Sequence, residues 1–229
     1  AYFLWPAPQV PSSQQGKASL DDFSFPTNSN GRVIPEVFGT NHLYGNILWA
    51  GDLNAVPITQ ETDMGKKGSR TDIVGYSYFL GLAYALCGCV DSITEFRQDN
   101  KIMATFSLTG DGSFNAKTGK TAEIYGSVQP DTAIRAYLGS QATADSYLAA
   151  ETGYDIAYKG ITYLVFQNAF VGDNVRACPM YSCVVKRTNL NGAGWTNYDI
   201  AGDANPAHML YYIMVNMLKV SDTLMDIAT

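Results

Sequence analysis

Histidine is almost missing from this chain, with only His42 and His208 in 229 residues. The two are far apart and lack the H-E-x-x-H or similar spacing of a metal or acid–base centre. Neither is a good catalytic candidate: His208, beside a helix start, is expected at a surface or interface, and His42 at a turn. Cysteine is scarce as well. Cys87, Cys89, Cys178 and Cys183 are too few for a disulfide scaffold, so free buried thiols are expected. A four-thiolate zinc site from the C-x-C and C-x4-C pairs departs from the usual C-x2-C spacing, and no metal or cofactor is expected. No G-x-S-x-G is present, and Asp21-Asp22, adjacent on one segment, point apart and make a poor acid–base pair. Charged residues are only 16%, and 15 basic against 21 acidic side chains leave a net charge of −6. That balance argues against a nucleic-acid-binding groove, whose affinity for phosphates is set by Lys and Arg. No run approaches the roughly 20 apolar residues that span a bilayer, and no charged n-region precedes a signal-like core, so a soluble chain is expected. The chain starts at Ala1 rather than Met, and the expectation is that it is part of a longer polypeptide.

What the sequence does hold is apolar and aromatic: 46% hydrophobic residues, 15 Tyr, 10 Phe and 21 Gly. This is enough to bury a core, and the balance favours a β-dominated α+β chain. The clearest period runs from Val74 to Cys87, where even positions are large (Tyr76, Tyr78, Leu80, Leu82, Tyr84, Leu86) and odd ones mostly small. Alternation at period two predicts one long strand with a large core face and a small face that another layer can approach closely. The run from Arg32 to Asp52 reads as strand, tight turn at Gly39-Thr40-Asn41, and second strand, with Pro35 confining the first strand to an edge.

Residues 1–30 carry Pro6, Pro8, Pro11 and Pro26 among Ser, Gln and Asn and read as an extended arm, with Tyr2 to Trp5 packed on something. Residues 31–190 form the β-rich body, and 191–229 a linker and helix leading into a following domain. Leu53 to Glu61 continues extended to a basic loop tip at Asp63 to Arg70, where Lys66, Lys67 and Arg70 could meet an acidic partner. Val90 to Ile102 reads as strand, Asp99-Asn100 turn and return strand. Residues 109–122 read as a flexible surface insertion. Lys117 to Thr121 imitates a P-loop, but Phe114 stands where that motif needs glycine, which excludes nucleotide binding there. Ala144 to Glu151 is a short helical candidate. Asn205 as N-cap, Pro206 as first helical residue, and Ala207, Leu210, Tyr211, Met214, Val215 and Leu218 at helical spacing predict an amphipathic helix over 206–218.

Several segments resemble one family. Ile34, Pro35, Val37, Phe38, Gly39, Thr40, Gly45, Asn46, Trp49, Gly51 and Asp52 match an "I-P-x-V-[YF]-G-T … G-N-x-x-W-x-G-D" run. Ala133 to Gly139 is similar to "T-I-Y-x-G", Tyr158 to Phe166 to "A-Y-R-G-L-A-Y-V-V-F", Pro179 to Val185 to "I-P-N-x-x-x-x-V", and the helix is entered through "N-P-A". Leu86 to Val90 departs from "A-L-C-E-G-x-I", so Cys89 has no family role to borrow. In pieces over residues 30 to 218, the chain thus resembles the tail-tip or baseplate hub proteins of long-tailed phages and gene transfer agents, typified by the host-specificity protein J of phage lambda.

The resemblance implies tail-tube-like β-barrel or sheet hub domains and a non-enzymatic virion protein, assembled in the host cytoplasm and placed at the distal end of the tail. It implies a homotrimer that closes the tail tube, connects it to the receptor-binding fibre, and meets distal tail, tail-tip and tape-measure proteins. DNA would meet it only in transit, and the host surface through a C-terminal region not in this chain. Interface candidates are Ile34, Pro35, Val37, Phe38, Gly39, Gly45, Asn46 and Trp49. Asp52, Glu61, Asp91, Glu95 and Asp99 are candidates for an acidic lumen that repels phosphates. The alternatives are a receptor-binding β module and a tail-associated cell-wall hydrolase.

Overall fold

The computed structural model describes residues 16–26, 32–63, 68–121, 129–190 and 199–221. Nine strands dominate it: β1 (Gly39–Tyr44), β2 (Asn46–Asp63), β3 (Ser69–Gly88), β4 (Ser92–Gln98), β5 (Lys101–Leu108), β6 (Gly112–Lys117), β7 (Asp131–Leu138), β8 (Ile161–Asp173) and β9 (Tyr181–Arg187). Helix α1 (Ser146–Thr152) precedes β8. A two-residue hairpin, β10 (Asp199–Ile200) with β11 (Asp203–Ala204), precedes α2 (Pro206–Tyr212). The fold is α+β and β-dominated, as the composition suggests.

The strands form a four-stranded sheet in the order β1-β9-β4-β5 and a five-stranded sheet in the order β2-β3-β8-β7-β6, every neighbour antiparallel. The sheets pack face to face through aromatic rings. Phe96 of β4 and Tyr181 of β9 stack at 5.5 Å, and Tyr181 lies 4.9 Å from Phe166 of β8 and 5.5 Å from Tyr84 of β3. Edge-to-face and offset contacts of this kind add to plain burial. At one side Phe106 of β5 stacks on Phe114 of β6 at 4.2 Å. At the other the chain turns through Gly45 from the edge of one sheet into the edge of the other. The two sheets remain open, the sheet form of the expected β-barrel or sheet architecture.

The alternation in β3 is realised on two faces. Leu80, Leu82, Tyr84 and Leu86 enter the inter-sheet core, whereas Ala83 faces a second cluster with Tyr163, Val165 and Leu148 of α1. Small residues on that face let the helix approach. Asp145 caps α1 by accepting from Leu148 N, and Gly153 at φ +75° ends it. The β4–β5 hairpin turns on Asp99 and Asn100, both at positive φ (47° and 69°), as a two-residue mirror-image turn requires. Asn205 caps α2 through Ala207 N, and the helix continues as a π turn over Ile213–Met217. No helix among the described residues is long and apolar enough to cross a membrane.

Four expectations need correction. Residues 32–38 are not a strand, and Gly39-Thr40-Asn41 is not a turn: it begins β1, whose partner is the distant β9. Residues 109–122 are not simply a surface insertion, because Gly112–Lys117 is a paired strand and Thr118 is fully buried. His42 lies within β1, its Nε2 2.9 Å from Ser182 Oγ. His208 is buried rather than surface-exposed.

Of the supposed N-terminal arm, residues 16–26 lie on the chain's own body. Phe23 packs edge-on to Tyr78 at 5.3 Å, Ala18 N donates to Tyr78 Oη, and Ser24 bridges Ala177. Tyr2 to Trp5, and Met64 to Lys67 of the basic tip, lie outside the described residues.

Candidate functional site

Two features of β2 and β3 leave the compact body and form a candidate assembly surface. The first is a ribbon. β3 pairs with β8 only as far as Ser77 opposite Asp173. There Asn174 ends the ladder: its Oδ1 accepts from Tyr76 N and its N donates to Tyr76 O, both at 2.8 Å. Beyond that point, among the described residues, β2 and β3 pair only with each other, from Pro57 opposite Tyr76 to Asp63 opposite Ser69. Ile73 on this ribbon and Val56 just before it are each 44% exposed. Pro57 lacks an N–H and so blunts the free edge of β2 against further strand pairing.

The second is a groove of about 400 Å³ beside the start of β2, walled by Leu48, Trp49, Glu151, Tyr154, Ile156 and Tyr158. β2 is irregular here, with register shifts between Ile47 and Trp49 and between Gly51 and Asn54, and Asp52 sits at φ +48°. Bulges of this kind re-aim side chains and interrupt pairing. Trp49 lies across Gly51 and Gly81, where a Cβ would overlap its ring, and meets Tyr147 edge-on at 6.0 Å. Tyr147 Oη donates to Asp52 Oδ2 at 2.8 Å. Burial first, and then the Asp52 carboxylate, push the Tyr147 phenol upward, so it stays a donor. Tyr154 and Ile156 are 69% and 48% exposed. Among the described residues no basic one lines the groove.

Most of the sequence-derived interface set makes contacts within the chain itself. Val37 is in the core, Pro35 O accepts from Gly88 N, and Phe38 packs on Tyr212 at 5.7 Å. Gly39 at φ +72° leaves room for the Asp203 carboxylate, which accepts from Thr40 N at 3.0 Å and covers part of the β1 edge. Gly45 packs against Tyr84, Asn46 pairs with Ala85, and Ile34 is half-buried. Trp49 is the member of the set that reaches the groove.

The five candidate lumen carboxylates are not one cluster. Asp52 and Glu61 lie on β2, Glu61 out on the ribbon, while Asp91, Glu95 and Asp99 follow β4 in the other sheet. Asp91 accepts from Thr188 N and Asn189 N, Glu95 from Arg97, and Asp99 from Met180 N with Lys120 3.5 Å away.

Several cross-links could not be read from the sequence. Arg187, buried on β9, pairs with Glu36 and lies 4.7 Å over the Tyr212 ring, so α2 docks on a paired cation. Asp145 gathers Arg135, Tyr137 and the Leu148 amide. The cysteines are free. Among the described residues no group of three or more His, Cys, Asp or Glu could hold a metal.

No family model matches the chain, and no curated protein matches it. Among solved structures, a chain of a native gene transfer agent (GTA) virion particle is similar over 73% of this chain, with 19% identity and a TM-score of 0.39. The similarity spans 30% of that chain.

Proposed function

We propose that this chain is a structural virion protein, the hub module that closes the distal end of a phage-like tail as a ring of three copies and lines the path of DNA ejection. The observation that carries this reading is where the resembling segments fall. The Ile34–Asp52 run supplies β1 and the start of β2, Ala133–Gly139 lies on β7, Tyr158–Phe166 leads into β8, and Pro179–Val185 enters β9. These pieces, scattered along the chain, become strand partners: β1 with β9 and β7 with β8.

Assembly from several copies is supported by physical features. The ribbon is a two-stranded piece with exposed Ile73 and with Val56 exposed at its base, and such pieces are marginal in water unless something covers them. The net charge of −6 suits a conduit through which phosphates pass without sticking. Asp52, Glu61 and Asp99 are the exposed members of the acidic candidates for such a wall.

The test is mass and place. Light scattering on the purified chain is expected to give three times its 24.9 kDa mass. Antibody-fragment labelling of intact particles is expected at the tube end, on the axis. Label at the tips of fibres would favour the receptor-binding module, and a monomer at all concentrations would remove the ring.

A further inference from the structure

The groove beside the start of β2 gathers three aromatic side chains and one carboxylate at the surface. We propose that it binds a quaternary ammonium group of the choline type, with Trp49, Tyr154 and Tyr158 as its walls and the Glu151 carboxylate as its counter-ion. One copy supplies the whole site, so it stands or falls apart from the ring.

Each aromatic residue is held in place by the fold itself. Trp49 rests across Gly51 and Gly81, paired glycines of β2 and β3, and Tyr147 braces it edge-on at 6.0 Å. Tyr158 sits at φ +47°, a strained conformation for a bulky residue that persists only where its surroundings enforce it. They do so here: Tyr158 O accepts from Gln141 Nε2 at 2.8 Å and from Ile161 N at 3.1 Å, and Gln141 Nε2 also donates to Ala157 O at 2.9 Å. Tyr154 follows Gly153 at the end of α1; its N donates to Thr152 Oγ1 at 3.2 Å, and the residue is 69% exposed.

Charge selects a cation. Glu151 lines the groove, and among the described residues no basic one does. Around it, Asp52 is held by Tyr147, Asp155 and Lys159 are exposed on the stretch after α1, and Arg135 is closed by Asp145. Glu151, Asp52 and Asp155 against Lys159 leave the rim negative. Burial first, and then the Asp52 and Glu151 carboxylates, push the Tyr147 phenol up, which reports the same negative field beside Trp49. Aromatic faces add to the attraction for a cation. A primary ammonium is strongly hydrated and brings three N–H donors that need acceptors. The lining offers a single carboxylate, and the Thr152 hydroxyl is already engaged, donating to Leu148 O at 2.7 Å and accepting from Tyr154 N. A quaternary ammonium brings no donor, and its methyl groups suit the apolar walls of Leu48 and Ile156.

The experiment titrates the full 229-residue chain with choline chloride and follows NMR chemical shifts, the Trp49 indole N–H among them. Saturable binding is expected, with shifts centred on Trp49 and Tyr154. Ethanolamine, which lacks the methyl groups, and 3,3-dimethylbutanol, the uncharged analogue of choline's shape, are each expected to bind at least about tenfold more weakly. Tyr154 and Glu151 are exposed, so Y154A and E151Q are expected to keep the wild-type unfolding midpoint. Each is expected to weaken choline binding at least about threefold, through the lost ring face or the lost charge. No saturable shift with choline, equal binding of either analogue, or variants that bind choline like the wild type would each overturn the site. Preference for a neutral sugar, maltotriose, over choline would overturn it too, since stacking and not charge would then select the ligand.

Discussion

Arg135 of β7 holds Asp145, the residue that starts α1, through Nε to Oδ2 at 2.5 Å and Nη2 to Oδ1 at 3.0 Å. The same carboxylate accepts from Tyr137 Oη at 2.7 Å and Leu148 N at 3.0 Å, and it is 1% exposed. Deleting one partner of a buried pair leaves the other charge uncompensated, which costs about 3–5 kcal/mol. R135A is therefore expected to lower unfolding free energy by that order in urea titrations, and R135K by less because the two-point geometry is lost but the charge remains. A change under about 1 kcal/mol would show that α1 is held by packing alone.

The same site sets an acid limit. Burial by itself would raise the Asp145 pKa, but the Arg135 hydrogen bonds, the Leu148 amide and Tyr137 outweigh it and hold the carboxyl below its ordinary value of 3.8. A carboxyl depressed in the folded state contributes stability that is present above its unfolded value and is lost as pH falls through the folded one. The contribution is thus expected to be constant from pH 7 to about 5 and to drain away below about 4. D145N, which has no proton to take up there, is expected to show a flatter acid limb than the wild type. Parallel limbs would assign acid sensitivity to other groups.

Gln98 and Gly119 test the stretch that imitates a phosphate loop. Gly119 N donates to Gln98 Oε1 at 2.7 Å, Gln98 Nε2 donates back to Gly119 O at 3.1 Å, and Gln129 Nε2 adds a bond to the same carbonyl at 2.8 Å. Gly119 has φ +75°, and a Cβ there would overlap the Phe170 and Val171 backbone. Q98A leaves a buried N–H unpaired and is expected to cost about 1–3 kcal/mol. G119A adds positive-φ strain to a backbone clash and is expected to cost more than Q98A. Thermal unfolding reads both; a neutral G119A would mean that the segment is free to move.

How much of this was legible follows the reach of each interaction. The long β3 was readable from its own alternation, the β4–β5 turn from Asp99-Asn100, and the start of α2 from Asn205-Pro206, because each signal lies within a few residues. Gly39 misled: glycine beside Thr and Asn suggests a local turn, yet its positive φ opens a strand paired with Arg187, 187 − 39 = 148 positions away. Residues 109–122 are polar enough to read as loop, and the burial of Ala116 and Thr118 within them is set by neighbours far along the chain, with Gln98 bonded to Gly119 and Phe106 stacked over Phe114. Of the groove, only Trp49 was flagged. Glu151, Tyr154 and Tyr158 come from a different stretch, brought there by α1, and the irregularities at Leu48 and Asp52 leave no local mark in the sequence.

The thiols give the last prediction. Cys87, Cys178 and Cys183 are buried, whereas Cys89 is half-buried at the end of β3. Burial pushes Cys87 up to about 12 and Cys178 to about 11, and lifts Cys183 as well. The thiolate is the nucleophile, so at pH 8 these three are both hidden and uncharged. Alkylation of the native chain is expected to modify Cys89 first and to leave the other three intact until denaturant opens the core. Because Cys87 in β3 and Cys183 in β9 belong to opposite sheets, their exposure reports separation of the sandwich rather than local fraying. Peptide mapping after timed labelling distinguishes the cases: Cys87 and Cys183 becoming reactive together is the expected result, and early labelling of Cys183 alone would show that the four-stranded sheet opens by itself.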